Sequence, residues 1–152
     1  LEGRDPVLEW GWVSRMDTLQ AALLSMRLAR LDKVNARRRH NASLYHELLD
    51  PLHVFMPPER KIEHNTWHTF VIQIERREAL KAWLAEKGIE TAVHYPVPLH
   101  LQPAAIELGY REGDMPETER QAARILTLPV NQFLKDEDIE FVANAVNRFF
   151  AA

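Results

Sequence analysis

The chain contains no cysteine, which excludes disulfides, thiolate metal sites, iron–sulfur clusters and a cysteine nucleophile together. Glycine is scarce: Gly3, Gly11, Gly88, Gly109 and Gly113 are all there are, and their spacing forms neither a Walker A loop nor a dinucleotide-binding fingerprint. Long apolar runs are also missing. Stretches such as Ala21 to Leu24 fall far below the ~20 residues that span a bilayer, so no membrane partner is expected. Charge of one sign is lacking too, since 19 basic residues face 22 acidic ones, which gives nucleic acid no bulk electrostatic attraction. What remains is ordinary for a folded domain: 152 residues, 46% apolar and 27% charged, a length for one domain, or one domain plus an appendage. The opening Leu-Glu-Gly-Arg-Asp has no initiator methionine and no signal pattern, and reads as the trimmed edge of a longer chain.

The periodicity predicts a long helix first. Ser14 and Asp17 give a helix-start signal. Leu19, Ala22, Leu23, Met26, Leu31, Val34, Leu44, Tyr45 and Leu48 then recur at three- and four-residue steps, with no glycine or proline before Asp50-Pro51. At 1.5 Å per residue, about 33 residues would span roughly 50 Å. Within it, Arg37, Arg38 and Arg39 fan around the helix and read as a solvated face rather than a phosphate cradle. His40 and His46 point in different directions and are expected to face solvent.

Beyond the connector through Pro57-Pro58, Phe70, Ile72 and Ile74 alternate with Thr69, Val71 and Gln73, the pattern of a strand with one buried face. A helix over 78–87 ends at Gly88, and a short strand is expected over 89–94. Helical segments are expected near 103–108 and from Pro116 to Ala123, a strand over 125–129, and a closing helix over 136–150. The resulting fold class is α/β, an α+β domain of roughly three strands covered by helices. The domain reading is a boundary segment at 1–16, a helix over 17–50 and a small domain over 51–152.

The chemistry concentrates in His94-Tyr95-Pro96-Val97-Pro98-Leu99-His100-Leu101-Gln102-Pro103. Two imidazoles, a phenol and an amide sit on a proline-stiffened loop after a strand, where scaffolds commonly present ligand-binding groups. A rigid crossover with solvated histidines fits the residues equally well. His64 and His68 have helical metal-pair spacing, but their segment is strand-like and lacks a third ligand, so no metal is expected.

From this loop outward the sequence resembles the DegT/DnrJ/EryC1/StrS family of sugar aminotransferases. The resemblance is carried by Trp10 to Ala22, by Arg37 to Arg39 with Asn41-Ala42, and by Thr69 to Ile74. It continues through Gly88-Ile89, His94-Tyr95-Pro96, Pro98-Leu99-His100, Leu108-Gly109-Tyr110 and Leu128-Pro129. It implies the C-terminal portion of a pyridoxal-phosphate enzyme of the aspartate-aminotransferase fold: an interdomain helix and the small domain. The parent would be a cytoplasmic homodimer that passes an amino group from an amino-acid donor, usually glutamate, to a keto sugar on a nucleotide. The N-terminal large domain with the Schiff-base lysine would precede this chain, which alone would be inactive and hold no catalytic residue.

By the same resemblance, Gly11-Trp12-Val13-Ser14-Arg15 aligns with a segment that reaches the neighbouring subunit's cofactor phosphate. Val13 occupies the family's asparagine position and cannot donate a hydrogen bond to phosphate, which leaves Ser14 and Arg15 for that contact. Trp12, His94, Tyr95 and His100 are implied as substrate-facing. Two further outcomes stay open: a non-enzymatic ligand-binding or dimerisation module derived from the family, and a sugar dehydratase relative.

Overall fold

A computed structural model describes residues 16–60 and 62–151. Trp12, Val13, Ser14 and Arg15 lie outside the described residues. The chain divides into two compact units, Leu1–Asp32 and Lys33–Ala152.

The first unit carries α1 (Thr18–Leu28). Asp17 is its N-cap, and the Gln20 side chain accepts from the Asp17 backbone N–H at 3.3 Å, the reciprocal half of a capping box. Leu19, Leu23 and Met26 are exposed on it. The single long helix expected from periodicity is interrupted at Ala29-Arg30, and α2 (Leu31–Leu48) begins anew. No glycine or proline marks the break. Its physical signature is charge placement: Arg27 lies in the last turn of α1 and Asp32 in the first turn of α2, each complementing the partial charge of a helix end.

In the second unit, β1 (Phe70–Gln73) pairs antiparallel with β2 (Ile125–Leu128), Phe70 opposite Leu128 and Ile72 opposite Leu126. Around them lie α3 (Arg77–Glu86), a 3-10 turn over Leu99–Leu101, α4 (Pro103–Ile106), α5 (Pro116–Arg124) and α6 (Asp136–Ala151). Helices covering a small antiparallel sheet make the fold α/β. The third strand expected over 89–94 is reduced to one bridge, Ala92 to Thr127, and a matching bridge joins Phe55 to Gln73 at the other edge. Among the described residues the ladder therefore has two full strands, each flanked by a single-residue contact.

Period-two alternation sends Phe70, Ile72, Leu126 and Leu128 to one face, where they meet Leu80 and Leu84 of α3, Ile139, Val142 and Val146 of α6, and Ala42 and Tyr45 of α2 in one core. Gly88 ends the α3 segment at φ +73°, a left-handed conformation that other residues adopt only at a cost.

α2 is tied to the irregular segment after β2 by a ladder of side chains. Tyr45 donates to the Pro129 carbonyl at 2.8 Å, Asn41 to Asn131 at 2.9 Å, and Arg37 Nη2 to Leu134 at 2.6 Å. Residues 37, 41 and 45 are four apart, so they share a helix face, and they satisfy carbonyls that no strand partner reaches. Burial with only that carbonyl as partner pushes the Tyr45 phenol well above its ordinary range.

The arginine run is therefore neither a solvated face nor an anion cradle. Arg37 also meets Asp136 at 2.7 Å, and the His40 hydrogen bond, then that of Arg37, holds the Asp136 carboxyl below its usual range. Arg38 donates to the carbonyls of Trp67 and His68. Arg39 donates to Glu59 and to the Asn65 carbonyl. Three adjacent arginines thus anchor two separate connectors onto α2. His40 and His46 are exposed as expected, yet each has a partner: His40 reaches Asp136 at 3.0 Å, and His46 lies edge-on to Trp67 and Phe70.

Candidate functional site

The turn after the Ala92 bridge carries the chain across the sheet face opposite the core. Here His94, Tyr95, Val97, Pro98 and Leu99 form one wall of an open cleft of about 450 Å³, and Thr118, Gln121 and Ala122 of α5 form the other. The prolines pin φ along the wall, and Gln102 closes the loop on itself by donating to the Val97 carbonyl. Tyr95 is 74% exposed, leaving its ring face and phenol free for a ligand. Its ring lies edge-on to that of His94, 5.6 Å between centroids.

The loop is fixed at two points, both imidazoles. His94 Nδ1 lies 2.9 Å from Thr127 Oγ1 in β2. His100 Nε2 lies 2.9 Å from Glu119 Oε1 in α5. Glu119 also accepts from the Gly113 N–H at 2.8 Å, so one carboxylate draws together the 3-10 turn, α5 and the turn before it. The His100 hydrogen bond, then that of Gly113, holds the Glu119 carboxyl below its ordinary range.

Of the residues expected to face substrate, the structure brings His94 and Tyr95 together in the cleft. His100 stands apart, 4% exposed, with Nε2 on Glu119 and Nδ1 buried without a partner among the described residues. It borders a separate hollow of about 380 Å³ with Ala105, Leu108 and Tyr110. Gln121, Thr118 and Thr127 were not singled out from sequence. Thr127 had a legible signal, because it alternates with Leu126 and Leu128 and so belongs on the opposite sheet face.

Among the described residues the cleft's lining contains neither lysine nor arginine. Its neutral donors and acceptors, with a tyrosine ring, suit hydroxyl and carbonyl groups. They do not fit pyridoxal phosphate, whose phosphate asks for cations or convergent N–H groups and whose aldehyde asks for an amine. Lys87 is occupied elsewhere, its ammonium 3.1 Å from the centroid of the Trp83 ring. Among the described residues no group of three or more His, Asp or Glu could hold a metal ion. No helix among them is long and apolar enough to cross a membrane.

The fold is shared with solved aminotransferases. Streptomyces venezuelae DesV, solved in complex with a ketimine intermediate, superposes with a TM-score of 0.89 at 36% identity, over 97% of this chain and 40% of that one. A DegT DnrJ EryC1 StrS aminotransferase from Brucella abortus gives 0.87 at 32% identity, over 99% and 40%. The sequence matches the DegT/DnrJ/EryC1/StrS aminotransferase family over residues 4–147, and the chain belongs to that family.

Among curated relatives, the pleiotropic regulatory protein of Geobacillus stearothermophilus is 39% identical across 92% of this chain and 38% of its own length. The dTDP-3-amino-3,6-dideoxy-alpha-D-galactopyranose transaminase of Aneurinibacillus thermoaerophilus is 38% identical across 90% and 37%. The chain thus spans well under half the length of the relatives it matches.

Proposed function

We propose that this chain is the C-terminal, small-domain portion of a pyridoxal-phosphate-dependent nucleotide-sugar aminotransferase, and that the His94–Tyr95 cleft borders the sugar nucleotide. The observation that carries this reading is the family match along nearly the whole chain, to relatives named as dTDP-sugar transaminases. The neutral, tyrosine-bearing cleft supports it, since it suits a sugar's hydroxyls better than a phosphate. The cofactor and its Schiff-base lysine belong, on this reading, to an N-terminal large domain. Ser14 and Arg15, with Val13 at the family's asparagine position, would approach the phosphate of the partner subunit's cofactor in a cytoplasmic homodimer. The chain alone would not transaminate, because among the described residues it brings no lysine to the cleft.

A second reading is favoured by the relative named as a pleiotropic regulatory protein: the same cleft would bind a sugar nucleotide without amino transfer. The two separate in one assay. Expressed together with the polypeptide encoded upstream in its reading frame, the chain is expected to support amino transfer from glutamate to a dTDP-linked keto sugar. Tyr95→Ala should then raise KM for the sugar about tenfold, which corresponds to about 1.4 kcal/mol of lost contact. Sugar-nucleotide binding with no 2-oxoglutarate released would reject the aminotransferase reading in favour of the regulatory one.

A further inference from the structure

Thr127 sits at the centre of β2, on the cleft side, 8% exposed. Its backbone is saturated: its N–H donates to the Ala92 carbonyl at 2.7 Å, and its carbonyl accepts from the Ala92 N–H at 3.2 Å. Its hydroxyl has one hydrogen-bond partner among the described residues, His94 Nδ1 at 2.9 Å. That pair can be wired in two ways. If Nδ1 carried the proton, the threonine hydroxyl would accept, and its own buried O–H would have nowhere to donate. If the hydroxyl donates, Nδ1 is the lone-pair nitrogen and no buried donor is left over. An unmade buried donor costs more than unused lone pairs on a hydroxyl oxygen whose proton is already placed. The second wiring therefore wins, and it places the imidazole proton on Nε2. That nitrogen has no partner among the described residues and lies across the ring from Thr127, in a side chain that lines the cleft.

We propose that Thr127 is a positioning residue that donates to His94 Nδ1, and so holds His94 as the tautomer offering Nε2–H to an oxygen acceptor of the ligand, a sugar hydroxyl or carbonyl. The ligand class rests on the function proposed above; the tautomer does not. The hydroxyl also fixes the ring's rotation, so the donor direction is set before a ligand arrives, which lowers the ordering cost of binding. The specificity that follows is for an acceptor oxygen at that point of the cleft. A deoxy position there would leave the N–H unanswered.

Long-range proton–nitrogen NMR of the imidazoles, on the nitrogen-labelled chain at a pH above the histidine range, reads the tautomer directly. The expected spectrum has His94 protonated on Nε2 and bare on Nδ1. Thr127→Val should redistribute the proton between the two nitrogens, and Thr127→Ser should restore the native pattern, a rescue that a purely packing role would not produce. A native spectrum with the proton on Nδ1, or a folded Thr127→Val chain with an unchanged tautomer, overturns the proposal. If Thr127→Val does not fold, the native and Thr127→Ser spectra still decide. Titration with dTDP-glucose then tests the ligand class: a shifted His94 Nε2–H signal supports it. An unmoved signal on a correctly assigned tautomer rejects the sugar-nucleotide reading while upholding the role of Thr127.

Discussion

Replacing Asn41 with aspartate should destabilise the chain by about 3–5 kcal/mol at neutral pH, the cost of an uncompensated buried charge. Asn41 is fully buried, and its side-chain amide donates to the Asn131 carbonyl while its Oδ1 has no partner among the described residues. Asn41→Asp removes that donor and sets a carboxylate against a carbonyl oxygen. The nearby guanidinium groups are committed: Arg37 to Leu134 and Asp136, Arg38 to Gln132, Trp67 and His68. The sign of the pH dependence follows from burial. Desolvation raises the folded-state pKa of the new carboxyl above its unfolded value of about 3.9. The penalty is therefore small below that value, where the protonated acid can donate to Asn131 in place of the amide, and it grows as pH rises toward the folded pKa. Urea denaturation of both chains across the acid range measures it. A difference independent of pH would mean that water or an arginine reaches the carboxylate.

Phe70→Ala should cost a similar amount by a different route, about 3–5 kcal/mol from lost transfer energy and the cavity left behind. The Phe70 ring is 1% exposed and meets Tyr45 at 4.8 Å, Trp67 at 5.4 Å and His46 at 5.4 Å between centroids. Removing it deprives β1 of its contact with α2 and with the connector that Arg38 holds. Against a total stability of about 5–15 kcal/mol, such a loss leaves a substantial unfolded fraction. Val71→Ala, one position along the strand on the partly exposed face, should cost much less. Equal losses at both positions, by chemical denaturation, would contradict the assignment of the buried face.

That face was legible in the sequence, because alternation at 70, 72 and 74 is a local signal that the sheet only had to use. The same holds for α6, whose Ile139, Val142, Val146 and Phe149 recur at helical steps, and for Gly88, the cheapest residue at a left-handed helix end. The helix break at Ala29-Arg30 was not legible, since no helix-breaking residue marks it. The arginine run shows the limit more sharply. Local spacing says that Arg37, Arg38 and Arg39 point in different directions, but their partners at 59–68 and 132–136 are distant in sequence.

The candidate site divides in the same way. A proline-stiffened loop with two histidines announces a place where side chains are held, and His94 and Tyr95 do meet in one cleft. Which histidine faces outward depended on Thr127 and Glu119, 33 and 19 residues further along. His100 spends its imidazole on Glu119 and leaves the cleft to His94. Trp12, Val13, Ser14 and Arg15 lie outside the described residues.

The proposed division of labour gives this chain a cleft for the sugar and no amine for the cofactor. Incubation with pyridoxal phosphate, reduction with borohydride and peptide mapping by mass spectrometry test it directly. No stoichiometric pyridoxyl adduct is expected at Lys33, Lys61, Lys81, Lys87 or Lys135. A single lysine among these five labelled to completion would contradict it.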